Sequence, residues 1–233
     1  MKLAGLKHRM LDISIIIPAH NEEKYIEKTL KAIKDSSYKK YEIIVICDFC
    51  SDSTYKIARK YTKNVYKVNF KNIPKNRNFG VEKAKGKILV FCDADTIISE
   101  NYLSSIKKAI NKGVEYGTAK WVSETGSKFG EYFAWGNNHG NKRDKTVAGN
   151  FFVKKEVFEE VRGFKNLRKG EDTDLGDRLR KKAKVYVFIE KAHYIPSERK
   201  FKSGFLKFWA NSVYETWLYK LNKKRYERKF SYG

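Results

Sequence analysis

An α/β fold around a mixed, mostly parallel central sheet flanked by helices is predicted by three features of the sequence. Short apolar stretches rich in β-branched residues alternate with longer amphipathic stretches through the first half of the chain, which is the rhythm of βα units. The run at 88–92 is apolar without alternation, as a strand covered on both faces should be. The 233 residues, 41% of them hydrophobic, suffice for one sizeable core.

Taken in order, residues 13–17 read as a strand, 22–34 as a helix, 42–47 as a strand, and 52–61 as a helix capped by Ser51 or Asp52. A short strand at 65–68 is followed by a helix over 75–85 that stops at Gly86, then by the strand at 87–92 and by Asp93-Ala94-Asp95. The second half is less regular, with strands at 116–122, 146–153 and 184–189 and helices at 154–161 and 172–182. No internal repeat and no Ser/Gly linker divides the chain. One unit over 1–198 is expected, in two halves meeting near 98 and 99, with an extension over 199–233.

That extension is strongly basic. Residues 199–229 hold ten Lys or Arg against Glu215 and Glu227, and Phe205, Phe208, Trp209, Val213, Trp217 and Leu221 recur at spacings of three and four. A helix here carries an aromatic stripe that either packs on the main unit or a second subunit, or lies over 203–229 on an anionic membrane surface. The whole chain has 50 Lys and Arg against 27 Asp and Glu, a charge of +23. Such a balance attracts phosphates, nucleotides or anionic lipids. No apolar run approaches the roughly 20 residues of a membrane span, and residues 1–12 lack the apolar stretch of a secretory signal. Cys47, Cys50 and Cys92 cannot pair evenly, and two of them sit in strand-like runs. A cytoplasmic protein without a disulfide framework is expected, peripheral at the inner face of the membrane if the tail binds lipid.

Asp93 and Asp95 follow a buried strand at its carboxyl end, where open α/β sheets bind ligands. The pair reads either as a site for a hard divalent cation and a diphosphate or as a solvated turn before the next helix. The loops Pro18-Ala19-His20-Asn21-Glu22 and Asp48-Phe49-Cys50-Ser51-Asp52 close neighbouring strands on the same edge. There Asp48 is placed to accept from the imino group of a base, and Asn21 and Glu22 to contact base or ribose. Arg77 and Asn78 lie on the helix before the metal strand, Arg being suited to phosphate. His20 is read as loop packing, and Trp135 as either an acceptor-stacking residue or core. Glu171 and Asp172 open a helix, where acidic residues also serve the macrodipole.

The run 13–22, then Arg77-Asn78, then Phe91-Cys92-Asp93-Ala94-Asp95 resemble family 2 glycosyltransferases of the GT-A fold. Downstream, Gly149-Asn150-Phe151-Phe152-Val153 through Phe158, Gly163-Phe164, and Gly170-Glu171-Asp172-Thr173-Asp174-Leu175 resemble that family's acceptor-side segment and Glu-Asp motif, so the likeness covers about 12–190. The resemblance implies transfer of a sugar, with inversion, from a nucleoside-diphosphate sugar of UDP or GDP type to a sugar, lipid-linked or protein acceptor. It implies a donor half at 12–98 and an acceptor half at 99–198. Carried over by position, Pro18, Ala19, Asn21, Glu22, Asp48, Arg77, Asp93 and Ala94 fall on the donor side. Gly149, Asn150, Glu171 and Trp135 fall on the acceptor side. Asp93 and Asp95 would hold Mn²⁺ or Mg²⁺, with His193 a candidate to complete the shell, and Asp172 would be the base. One departure is that Cys47-Asp48-Phe49-Cys50 stands where the family usually has Asp-Asp-Gly-Ser, so Phe49 replaces Gly.

Two other readings compete. A nucleotidyltransferase also uses metal carboxylates on an α/β sheet, but the first loop here is not Gly-rich and basic. A module binding nucleic acid or an anionic surface would account for the charge and the 15% aromatic content. It leaves the ordered acidic motifs unexplained, so no specific nucleic acid partner is expected.

Overall fold

The structure, a computed structural model, describes residues 11–147, 149–201, 221, 226 and 229–231. In chain order the elements are β1 (Ile13–Ala19), α1 (Ile26–Asp35), β2 (Tyr41–Asp48), α2 (Thr54–Arg59), β3 (Val65–Val68), α3 (Ile73–Lys83), β4 (Ile88–Phe91) and β5 (Thr96–Ile98). There follow α4 (Tyr102–Asn111), β6 (Tyr116–Trp121), α5 (Lys128–Asp144), β7 (Phe151–Lys154), α6 (Lys155–Glu160), α7 (Glu171–Lys182), β8 (Tyr186–Pro196) and a 3-10 turn, Glu198–Phe201. The strands form one eight-stranded sheet in the order β3-β2-β1-β4-β7-β6-β8-β5.

The β-branched runs supply the inner parallel strands, because such side chains fit a pleated surface covered on both sides. β1 is parallel to β2 and to β4, and β2 to β3. β4 is buried at all four positions, its alternate residues serving two cores. Ile88 and Val90 pack with α1 and α4 on one face, and Leu89 and Phe91 with α6 and α7 on the other. The register pairs Ala19 with Cys47 and Ile16 with Phe91, so the carboxyl ends of β1, β2 and β4 lie on one edge. β7 enters antiparallel with Phe151 opposite Phe91. That reversal brings Gly149 and Asn150, just before β7, beside the end of β4.

α3 sits unusually close to the sheet. A Cβ on Gly80 would stand 2.4 Å from Ile16 Cγ2, so only glycine allows this approach without displacing β1. Arg77, one turn earlier on the same face, is carried with it toward the strand ends. Asn72 caps the helix by accepting from Lys75 N at 2.9 Å.

The observed elements depart from the expected ones in several places. α1 starts at Ile26, because 23–25 form a turn with Tyr25 N and Ile26 N donating to Glu22 O. α2 starts at Thr54; Asp52 accepts from Thr54 N, but Ser51 plays no capping part and donates its N–H to Asn21 instead. The strand expected from 146 begins at Phe151. The 17-residue α5 and the short β5 were not anticipated, and β8 runs on to Pro196. The stripe expected at 205–217 lies outside the described residues. Beyond 201, Tyr226 is buried and Phe230 packs on it; Arg168 N donates to Phe230 O at 2.5 Å, and Leu167 and Ser231 form an antiparallel bridge. This end of the chain therefore rests on the loop that leads into α7.

Four phenylalanines tie the centre together, with Phe91 ring centroids 4.8 Å from Phe151, 5.4 Å from Phe158 and 5.1 Å from Phe164. Phe91→Ala empties a site that the sheet cannot close, so urea unfolding should show a loss of about 3–5 kcal/mol.

Candidate active site

The loops at the carboxyl edge enclose a crevice of about 750 Å³. The structure brings Pro18, Ala19, Asn21, Glu22, Asp48, Arg77, Asp93, Ala94, Asp95, Gly149, Glu171 and Asp172 to its wall. These residues come from six separate stretches of sequence, and the strand register explains why they meet.

Arg77 is at the centre. Its side chain is 4% exposed and pairs with Asp172 at 2.6 Å, with Glu171 at 3.1 Å and with Asp93 at 3.1 Å. Burial alone would push its pKa down, but Asp172, Asp93 and Glu171 outweigh burial and push it up, so it stays charged. One guanidinium thus joins the end of β4 to the start of α7. Its Cζ also lies 5.2 Å from the centre of the Phe164 ring.

Asp172 uses one oxygen for Arg77 and receives Gly149 N on the other at 2.9 Å. Gly149 has a φ of +55°, and a Cβ there would stand 3.1 Å from Asp93 Oδ2, so the position needs glycine for conformation and for closeness. Asn150 is buried and does not line the crevice; its Oδ1 accepts from Asp93 N at 3.1 Å and its Nδ2 donates to Thr96. It fixes the loop that presents Asp93. Glu171 is pushed up from 4.5 to about 7 by burial and then by Asp172, against the pull of Arg77.

Three expectations are corrected. Asp48 lines the crevice, but its carboxylate already accepts from Phe70 N, Lys71 N, Asn72 N and Asn76 Nδ2 at 2.8 to 3.0 Å. A carboxylate has about four acceptor positions, so Asp48 holds the 70–76 turn and has none left for a base. His193 does not line the crevice: Ala192 and Tyr194 on either side of it are buried, and alternation along β8 turns His193 to the opposite face. Trp135 is neither core nor crevice. It is 62% exposed on α5, stacked with Tyr132 and His139, beside a separate cleft of about 490 Å³.

The first two loops brace one another. Asn21 Oδ1 accepts from Ser51 N at 2.9 Å, and Thr54 Oγ1 accepts from Glu22 N at 2.7 Å. His20 Nδ1 lies 2.8 Å from Asp48 O; a carbonyl only accepts, so Nδ1 carries the proton. Phe49 has a φ of +54°, the left-handed conformation that suits the glycine usual at this position, at a cost of roughly 1–2 kcal/mol for an L-residue. It is half exposed in the crevice wall, with Lys71 Nζ 4.0 Å from its ring centre.

Sequence reasoning missed Arg199. It reaches the crevice from beyond β8 and contacts Glu22 Oε1 at 2.5 Å and Asp95 Oδ2 at 3.1 Å. As one of 50 basic residues at the head of a basic stretch, it carried no local signal.

Asp93 and Asp95 present hard oxygen donors to one crevice, a set that fits a divalent cation whose shell is completed by phosphate oxygens. Among the described residues no three His, Cys, Asp or Glu side chains gather to hold an ion on their own.

The sequence model described as Glycosyl transferase family 2 matches residues 14–172. The GalNAc(5)-diNAcBac-PP-undecaprenol beta-1,3-glucosyltransferase of Campylobacter jejuni is 27% identical over 194 residues, covering 76% of this chain and 62% of that protein. The chain spans only 21%, 62% and 56% of the length of three curated relatives it matches. Staphylococcus aureus TarS 1-349 in complex with UDP-GlcNAc superposes with a TM-score of 0.69 at 18% identity, covering 83% of this chain and 61% of that one. The mannosyltransferase PcManGT from Pyrobaculum calidifontis, in complex with GDP-Man and Mn2+, gives 0.69 at 17% identity, covering 82% and 59%. The fold is the GT-A fold that the motifs implied.

A protonated Glu171 is favoured in the folded state between its ordinary 4.5 and about 7. The folded chain binds more protons there than the unfolded one, so this group's contribution falls as pH rises through that window and is level above it. In unfolding titrations the difference in stability between Glu171→Gln and the parent should therefore grow in favour of Gln from about pH 4.5 to about 7.

Proposed function

The chain belongs to glycosyl transferase family 2, and from that premise we propose that it transfers a sugar, with inversion, from a UDP- or GDP-type sugar to an acceptor hydroxyl. The observation that carries this reading is the single crevice lined by Asp93, Asp95 and Asp172, in which the Arg77 guanidinium joins Asp93 to Asp172. Displacing a nucleoside diphosphate builds negative charge on the leaving phosphate and positive character on the sugar. The site then needs a cationic end and a basic end.

Asp172 is the base in this reading. The acceptor oxygen attacks the anomeric carbon, its proton passes to an Asp172 carboxylate oxygen, and the bond to the diphosphate breaks with its electron pair leaving on the phosphate. Arg77 and Gly149 N hold the Asp172 side chain in one orientation, so the base is placed before the acceptor arrives. Asp93 and Asp95 would hold Mn²⁺ or Mg²⁺, which when bound supplies a Lewis acid for the diphosphate. Metal use is supported by the donor chemistry of the pair and by the Mn2+ in the PcManGT complex. A lipid-linked acceptor is supported by the name of the Campylobacter jejuni relative. Among the described residues no helix is long and apolar enough to cross a membrane. Contact of 203–229 with anionic lipid is proposed from their composition.

Asp172→Asn should lower transfer by about 10²- to 10⁴-fold while leaving UDP or GDP affinity within a few-fold, measured by calorimetry beside a coupled release assay. Full transfer by the variant would remove the assignment. Asp95→Ala should abolish the Mn²⁺-dependent part of the melting-temperature shift given by the same nucleotide.

A further inference from the structure

Arg199 stands in the crevice between Glu22 and Asp95. Its backbone is fixed from below: Glu198 is buried, and its carboxylate accepts from Ser123 Oγ at 2.6 Å, Glu124 N at 3.0 Å and Thr125 Oγ1 at 2.7 Å. Ser197 N donates to Asp95 O at 3.1 Å. From this anchored turn the guanidinium reaches over the crevice, 4.5 Å from the centre of the Tyr25 ring, to Glu22 and Asp95. The Asp95 side chain is 7% exposed. A carboxylate so buried is costly without a cation beside it, and Arg199 is such a cation. It ties the first loop to the Asp-x-Asp loop through charged contacts.

We propose that Arg199 is a donor-binding residue that exchanges partners. Without donor it neutralises Asp95 and Glu22; when a divalent cation binds Asp95 it turns to the donor diphosphate. The inference rests on the donor reading above. A divalent ion against Asp95 competes with the guanidinium 3.1 Å from the same carboxylate, because like charges repel most strongly in a partly buried site. The released side chain, held at its root, finds in the diphosphate the anion for which a planar guanidinium is best suited. The same residue therefore opposes metal binding before donor arrives and favours diphosphate binding afterwards.

The test uses the full chain, Arg199→Gln and Arg199→Lys. Mn²⁺ binding to donor-free protein is read from the spin resonance of free Mn²⁺, and binding of inorganic pyrophosphate and of UDP and GDP with Mn²⁺ is read by calorimetry. Arg199→Gln should bind Mn²⁺ about tenfold more tightly and pyrophosphate about tenfold more weakly, the scale of a close charge pair, with Arg199→Lys between it and the parent in both. A merely structural role would weaken both together, and that result, or unchanged pyrophosphate affinity, overturns the exchange. A parent that binds UDP or GDP while the variants match it removes this inference alone. A parent that binds Mn²⁺ but none of the phosphates removes the donor reading and the exchange with it, and a parent that binds no Mn²⁺ removes the exchange.

Discussion

The buried guanidinium of Arg77 is the constraint on which the site depends. It holds Asp93 at the end of β4 and Glu171 and Asp172 at the start of α7, segments about 80 residues apart in sequence, within 3.1 Å of one cation. Removing that cation leaves three carboxylates uncompensated in a region of low polarity, at a cost of about 3–5 kcal/mol. Three carboxylates meeting one cation also leave the cluster with excess negative charge, and Glu171 absorbs it by titrating near neutrality.

The fold makes that cluster reachable. Gly80 lets α3 sit against Ile16, which brings Arg77 to the strand ends. The antiparallel entry of β7 opposite β4 puts Gly149 between Asp93 and Asp172. The loops after β1 and β2 and the approach to α3 are then braced by side chains, with Asp48 holding 70–72 and Asn21 holding Ser51. Arg199 closes the same crevice with a contact that charge makes and charge can undo.

Local signals in the sequence mark out the parallel half well, since β-branched runs and loop carboxylates at strand ends depend on neighbours along the chain. What depends on distant neighbours was less legible. α5 contains Gly130, Gly136 and Gly140, each a mark against a helix in isolation. It forms because Ser127 caps it by accepting from Gly130 N and because Ala134 and Asn141 are buried against the sheet. Asp48 looked like a base reader because its loop points into the crevice, yet the turn that saturates it lies 22 residues on. His193 and Trp135 are residues of suggestive type whose direction is set by β-strand alternation and by a helix face. The sequence could not weigh those without the register of β8 and the existence of α5.

The most direct measurement of the central claim is a double-mutant cycle on unfolding free energy with Arg77→Leu, Asp172→Asn and the pair, taken near pH 8, above the titration of Glu171 at about 7. If Arg77 is the cation that organises the cluster, Arg77→Leu alone should cost about 3–5 kcal/mol, and the coupling with Asp172 should exceed about 1 kcal/mol. A loss no larger than about 0.5 kcal/mol, the level of an ordinary surface substitution, or additive effects within about 0.5 kcal/mol, would contradict it.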